Sequence, residues 1–135
     1  MPFATSHTVS LAGALGHLID VQADVSPGHV ATVLVGRADA SLQEARDRCR
    51  MAILNSGFEW PSSRRTTVLL SPADLPKRGT HYDRAIAVAV LAATGKVPPE
   101  ALQGVVVIGE LTLAGRLRSV PGVLPMVMAA AERAY

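Results

Sequence analysis

Arginine is the residue type in this chain most able to recognise a charged partner, and five arginines crowd two short stretches. Arg46, Arg48 and Arg50 lie within one predicted helix, and Arg64 and Arg65 follow Trp60-Pro61. If helix and loop meet, five planar forks form a patch suited to phosphates. The competing reading is a solvated helix face, since Glu44 and Asp47 interrupt the charge and arginine commonly lies over an apolar rim. Trp60 reads as a packing anchor. His7, His17, His29 and His81 fall on separate predicted elements, without metal-ligand spacing. Cys49 is the sole cysteine, which excludes an intrachain disulfide and a cysteine zinc site. The one Gly-Lys pair, Gly95-Lys96, has Val90 five residues before the glycine and Val97 after the lysine, so there is no Walker A loop. No GxGxxG, GxSxG or HExxH occurs.

The elements that must position these residues come from a chain of 135 residues, 49% hydrophobic and 18% charged. That size and composition suit one domain, residues 1–135, with an ordinary core. The formal charge is only +2 despite eleven arginines, and 4% aromatic content is too little for a base-stacking platform. No signal peptide and no membrane-spanning run is legible, so the expected location is cytoplasmic. Alternation predicts a strand over 17–25, with a weaker strand over 7–12 before it. The apolar run 30–35 predicts a third strand, buried on both faces. Ser41 and Glu44 have capping-box spacing and open a helix whose buried stripe is Leu42, Ala45, Cys49, Ala52 and Ile53, stopping at Gly57. A strand over 67–71 follows, then a loop over 72–79 and a central small-residue helix over 82–94. A buried strand over 105–108, a hairpin over 111–117 turning near Gly115 and a last helix over 123–135 complete the order βββ-α-β-α-ββ-α. The class is α+β (mixed α/β), with helices packed on one face of a sheet and the other face free to dock, apolar at its centre and rimmed by arginine. The last helix reaches Tyr135 without a terminating glycine, the ending expected of a segment of a longer polypeptide.

Several stretches carry a resemblance. QEARDR from Gln43, NSGF from Asn55, SPADLPK from Ser71, GEL from Gly109 and VPGVLP from Val120 are similar to the N-terminal domain of the Mg-chelatase-like AAA+ ATPases, the ComM/YifB family. The resemblance covers nearly the whole chain. It implies a ribosomal protein S5 domain 2-like fold, shared with the proteolytic domain of Lon. Lon-type domains use a serine and lysine dyad; here the matching positions hold His81 and Leu124, the first within Pro76-Lys77-Arg78-Gly79-Thr80-His81-Tyr82-Asp83. Leucine cannot take a proton from a nucleophile, and Lys77 and Arg78, expected in a solvated loop, would be fully protonated.

The implied reading is a non-catalytic accessory domain with no catalytic, cofactor or metal residues of its own. Its expected partner is an AAA+ module, its own or a neighbour's in a ring, which binds ATP and Mg. DNA is reached through the parent ring, of branch-migration type, and no membrane or metal is expected. Candidate partner or phosphate contacts are Arg46, Arg48, Arg50, Arg64, Arg65, Lys77 and Arg78. The alternatives are a stand-alone nucleic-acid-binding or adaptor module, and a divergent Lon-like peptidase using Thr80 or His81.

Overall fold

The alternation of apolar and polar residues in the second predicted strand organises the whole molecule. In the computed structural model, which describes residues 3–12, 15–36, 39–61, 63–72, 75, 77 and 79–132, this segment is β2, Leu15–Ser26, and Ile19, Val21, Ala23 and Val25 are all buried. β1, Phe3–Ala12, pairs antiparallel with it in a register that sets Val9 opposite Leu18. On the other side β4, Arg65–Ser71, runs antiparallel to β2, and β3, Ala31–Val35, runs parallel to β4. The sheet order is β1-β2-β4-β3. β3 was expected to be buried on both faces, but it borders the sheet. Of its five residues only Leu34 is buried, and Val35 is 42% exposed.

Between β3 and β4 the chain crosses over through α1, Ala40–Gln43, and α2, Ala45–Asn55, with Glu44 at the break between them. The cap is not the expected Ser41 box. Asp39 is the N-cap, its Oδ1 accepting from the Leu42 amide at 2.8 Å, which places Ser41 inside the first turn. Leu42, Ala45, Cys49, Ala52 and Ile53 form the buried stripe that their spacing predicts. α2 ends in a Schellman turn: the Phe58 amide donates to the Ile53 carbonyl at 3.1 Å around Gly57, whose φ is +88°.

α3, Asp83–Ala93, is the central helix, with eight of its eleven residues buried. Ser6 Oγ donates to the Ala85 carbonyl at 2.7 Å and ties this helix to β1. A short 3-10 helix, Pro99–Leu102, follows. The strand expected over 105–108 is a single parallel bridge, His7 to Val106. The Val107 amide reaches the His7 carbonyl at 2.8 Å, but the Gly109 amide goes instead to the His81 carbonyl at 3.0 Å, drawing the segment away from β1. The hairpin is β5, Glu110–Leu111, and β6, Leu117–Arg118, which pair antiparallel with Gly115 in the turn. The last helix is α4, Val123–Glu132; the final residues of the predicted helix lie outside the described ones.

The fold is α+β, with a four-stranded mixed sheet and a second small sheet. α2 and α3 share one face, over the core of Ile19, Val21, Val68 and Leu70. α4 differs from that expectation. It packs on Val9 and Leu11, which alternate with the α3-facing residues of β1, so it covers the opposite side near the β1–β2 connection. There the approach is close enough that a Cβ on Gly16 would lie 2.3 Å from that of Ala129.

Gly36 closes β3 with φ +115°, and a Cβ there would meet the Leu70 carbonyl oxygen at 2.3 Å, whereas a Cβ on Gly57 would meet nothing within 4 Å. Gly57→Ala therefore carries only the backbone strain, about 1 kcal/mol. Gly36→Ala adds a clash with main chain that cannot move aside, and is expected to cost at least about twice as much in urea denaturation.

Candidate functional site

The segment before α3 holds the position that resembles the Lon serine. His81 there is only 6% exposed, and its Nε2 lies 2.7 Å from the Val9 carbonyl. A carbonyl can only accept, so Nε2 carries the hydrogen and Nδ1 keeps a lone pair. The ring stacks at a tilt on Tyr82, centroids 4.0 Å apart. Burial pushes the His81 pKa below its ordinary value, against the opposing pull of the Val9 hydrogen bond and the Asp83 charge. The imidazole is therefore neutral at neutral pH. It lines a cleft of about 240 Å³ with Thr80, Leu11, Val120, Pro121 and Met126. Leu124, at the position resembling the Lon lysine, is not among the lining residues and stands 71% exposed on α4. One matching position thus holds an imidazole tied to β1 and the other an aliphatic side chain in solvent.

Lys77 is not in a solvated loop. It is fully buried, its Nζ donating to the Gly36 carbonyl at 2.7 Å and to the Pro72 carbonyl, while its own carbonyl accepts the Asp39 amide at 3.1 Å. The side chain fastens together the ends of β3 and β4 while the main-chain carbonyl holds the start of α1, and the ammonium does not face a surface partner. Arg78 lies outside the described residues.

The arginines of α2 divide. Arg48 turns inward and grips Asp83 with both arms of its guanidinium, Nε to Oδ2 at 2.7 Å and Nη2 to Oδ1 at 3.0 Å. Asp83 is fully buried and also accepts the Leu111 amide at 3.1 Å. Burial pushes the Asp83 carboxyl upward while Arg48 and the Leu111 amide pull it down; Asp83 in turn holds the guanidinium above its ordinary value. Cys49 donates to the Asp83 carbonyl at 3.2 Å, and burial pushes its thiol up, which makes it an inert packing group.

Arg46 and Arg50, four residues apart, share the exposed flank of α2, and Arg46 Nη1 reaches the Thr32 carbonyl at 3.3 Å. Arg65, exposed, opens β4 opposite Ala31. Arg64 lines a separate groove of about 910 Å³ with Trp60, Glu59 and Lys96 at the C-terminal ends of α2 and α3. Trp60 is 8% exposed and belongs to the core. Arg48 is thus withdrawn from any patch the other four make.

The sheet face opposite α3 does not have the expected apolar centre. The alternation of β2 places Asp20, Gln22 and Asp24 there, and His7 Nδ1 lies 2.8 Å from Asp20 Oδ1. Carboxylates at the middle of the sheet repel phosphate rather than attract it.

Asp83, the hub of this region, was not singled out from the sequence. Its signal is a carboxylate opening a helix that is apolar from Ala85 to Ala93, which a buried position tolerates only with a partner. Among the described residues no group of histidine, cysteine and carboxylate side chains could hold a metal ion, and no helix is long and apolar enough to cross a membrane.

The sequence pattern describing subunit ChlI of Mg-chelatase matches residues 21–135. Among curated relatives, the chain is 47% identical over 130 residues to the uncharacterized protein Rv2897c of Mycobacterium tuberculosis, covering 96% of this chain and 26% of that protein. It is 41% identical over 124 residues to the uncharacterized protein YifB of Escherichia coli, covering 92% of this chain and 24% of that protein. It is 37% identical over 130 residues to the competence protein ComM of Haemophilus influenzae, covering 96% and 25%. The chain spans about a quarter of the length of these relatives.

Two outcomes follow from this geometry. Arg48→Ala leaves a buried carboxylate without its counter-charge and is expected to cost about 3–5 kcal/mol in urea denaturation, part of which Asp83→Asn restores in the double variant. The unfolded chain protonates His81 near about pH 6.5, whereas the folded chain takes up that proton only at lower pH, so acidification below about 6.5 favours unfolding. The urea midpoint of the wild type should therefore fall more steeply as pH drops below about 6.5 than that of His81→Gln, and parallel profiles would refute this role.

Proposed function

Because this chain belongs to the family of subunit ChlI of Mg-chelatase, we propose that it is a non-catalytic accessory domain of a larger, cytoplasmic ATPase of AAA+ type. In this reading the ATP and Mg are bound by a separate module, the parent assembles as a ring acting on DNA, and this domain docks on its own or a neighbouring module.

The observation that carries the reading is the outer stripe of α4. Leu124, Val127 and Met128 are 71%, 50% and 58% exposed, and helical spacing sets them on one side while Met126, Ala129 and Ala130 pack inward. Val123, 41% exposed, adds to that surface. An apolar stripe of this kind on a ten-residue helix marks a contact surface. The neighbouring cleft supports the non-catalytic part. A nucleophile needs a base within hydrogen-bond reach, and the position that would supply one holds Leu124. His81 retains a lone pair on Nδ1 and shares the cleft with Thr80, the pair a divergent peptidase would use.

The test uses the full-length protein. Leu124→Asp with Val127→Asp replaces two exposed side chains, so the domain's own stability should change by no more than about 0.5 kcal/mol each. Loss of two apolar contacts at an interface should lower ring assembly and ATP turnover by at least about tenfold. Unchanged assembly and turnover would sink the docking role. Cleavage of unfolded casein that Thr80→Ala abolishes would replace the accessory reading by a peptidase.

A further inference from the structure

A second apolar surface lies away from α4, where the hairpin crosses α2 and α3. Ala52, Ile53, Ala87, Val88 and Leu91 floor a groove of about 280 Å³ there. Phe58 and Leu117 wall it and remain 45% and 49% exposed. From Arg84 to Leu91 the floor follows α3 for eight residues, about 10 Å or two helical turns. Its floor is therefore made of helix side chains, with Leu117 of the hairpin at its border.

The charge around this groove is mostly positive. Arg84 is the only charged residue lining it among the described residues, and no carboxylate does so. The hairpin contributes Arg116 and Arg118, both exposed, against the single Glu110, which lies 3.7 Å from Arg118. The expected apolar centre with an arginine rim thus occurs here rather than on the open sheet face, whose middle carries Asp20 and Asp24.

We infer that this groove receives an amphipathic helix with acidic flanks from a protein partner, its apolar side chains seated between Phe58 and Leu117 and its carboxylates facing Arg84. Two turns of helix match the length of the floor, and side chains at i, i+3 and i+4 match a trough running along α3. Arg84 supplies the sign preference, because a basic flank would set like charges together at the border of a low-dielectric groove. A nucleic acid would share the attraction to arginine but has no apolar stripe to fill the floor. The inference does not depend on the docking role of α4.

The experiment titrates the 135-residue chain with labelled synthetic peptides of about fourteen residues, followed by fluorescence anisotropy. One carries leucines at helical spacing with glutamate flanks, a second has lysine flanks, and a third is the glutamate peptide broken by a central proline. The glutamate peptide should bind at least about tenfold more tightly than either of the others. Arg84→Glu, an exposed substitution whose fold is checked by circular dichroism, should reverse the preference toward lysine. Leu117→Ser should weaken both. Leu124→Asp with Val127→Asp should leave peptide binding unchanged, which separates this groove from the α4 surface. Absence of saturable binding, equal affinity for the two charged peptides, equal affinity for the proline-broken peptide, or indifference to Arg84→Glu would each overturn the proposal. So would single-stranded oligonucleotide binding that displaces the glutamate peptide and is lost on Leu117→Ser.

Discussion

Asp83 sits where no water reaches it, at the first turn of the most buried helix, and a carboxylate in that place must be answered by a charge and by hydrogen bonds. Arg48 supplies the charge from α2, the Leu111 amide supplies a third bond from the hairpin, and Cys49 binds the carbonyl of the same residue. Three elements distant in sequence are thereby given fixed relative positions. The groove between α2, α3 and the hairpin exists because this carboxylate holds its three sides together. The same bond explains why an arginine run that reads as one surface is divided. Geometry forces Arg48 to the side of α2 facing α3, while its neighbours two residues away stay in solvent.

Much of the architecture was legible because it rests on local periodicity. The alternation through Ile19, Val21, Ala23 and Val25, the stripe from Leu42 to Ile53 and the small-residue helix ending at Gly95 all match their patterns, since burial selects residues at the period of the element. The departures come from long-range pairing. An apolar run such as 31–35 does not say whether it lies at the middle or the border of a sheet, and β3 lies at the border because β4 pairs with β2 on its other side. The segment 105–108 has strand composition, but its Val107 amide goes to His7 and the next one recorded, that of Gly109, goes to His81, two partners no local pattern can reveal. Asp39 rather than Ser41 caps α1, a choice between two acceptors two residues apart.

The site was less legible than the fold. Its two family-matched positions could be located by resemblance, but resemblance did not reveal that His81 is fastened to β1, or that Lys77 is buried against two carbonyls. A lysine between Pro76 and Arg78 has the composition of a loop, and only the convergence of the β3 and β4 ends encloses it. In both places a polar side chain beside the cleft serves as a structural fastening.

Arg46 has a consequence of another kind. Among the described residues β3 has a neighbour on one side only, and a border strand of the composition Ala-Thr-Val-Leu-Val is a template on which an identical strand from another molecule could add, the first step of intermolecular β-sheet growth. The guanidinium of Arg46, resting on the Thr32 carbonyl, occupies one of the acceptors such an incoming strand would need and sets a positive charge in its way. An arginine that looks available for a ligand thus also covers part of the open margin of the sheet.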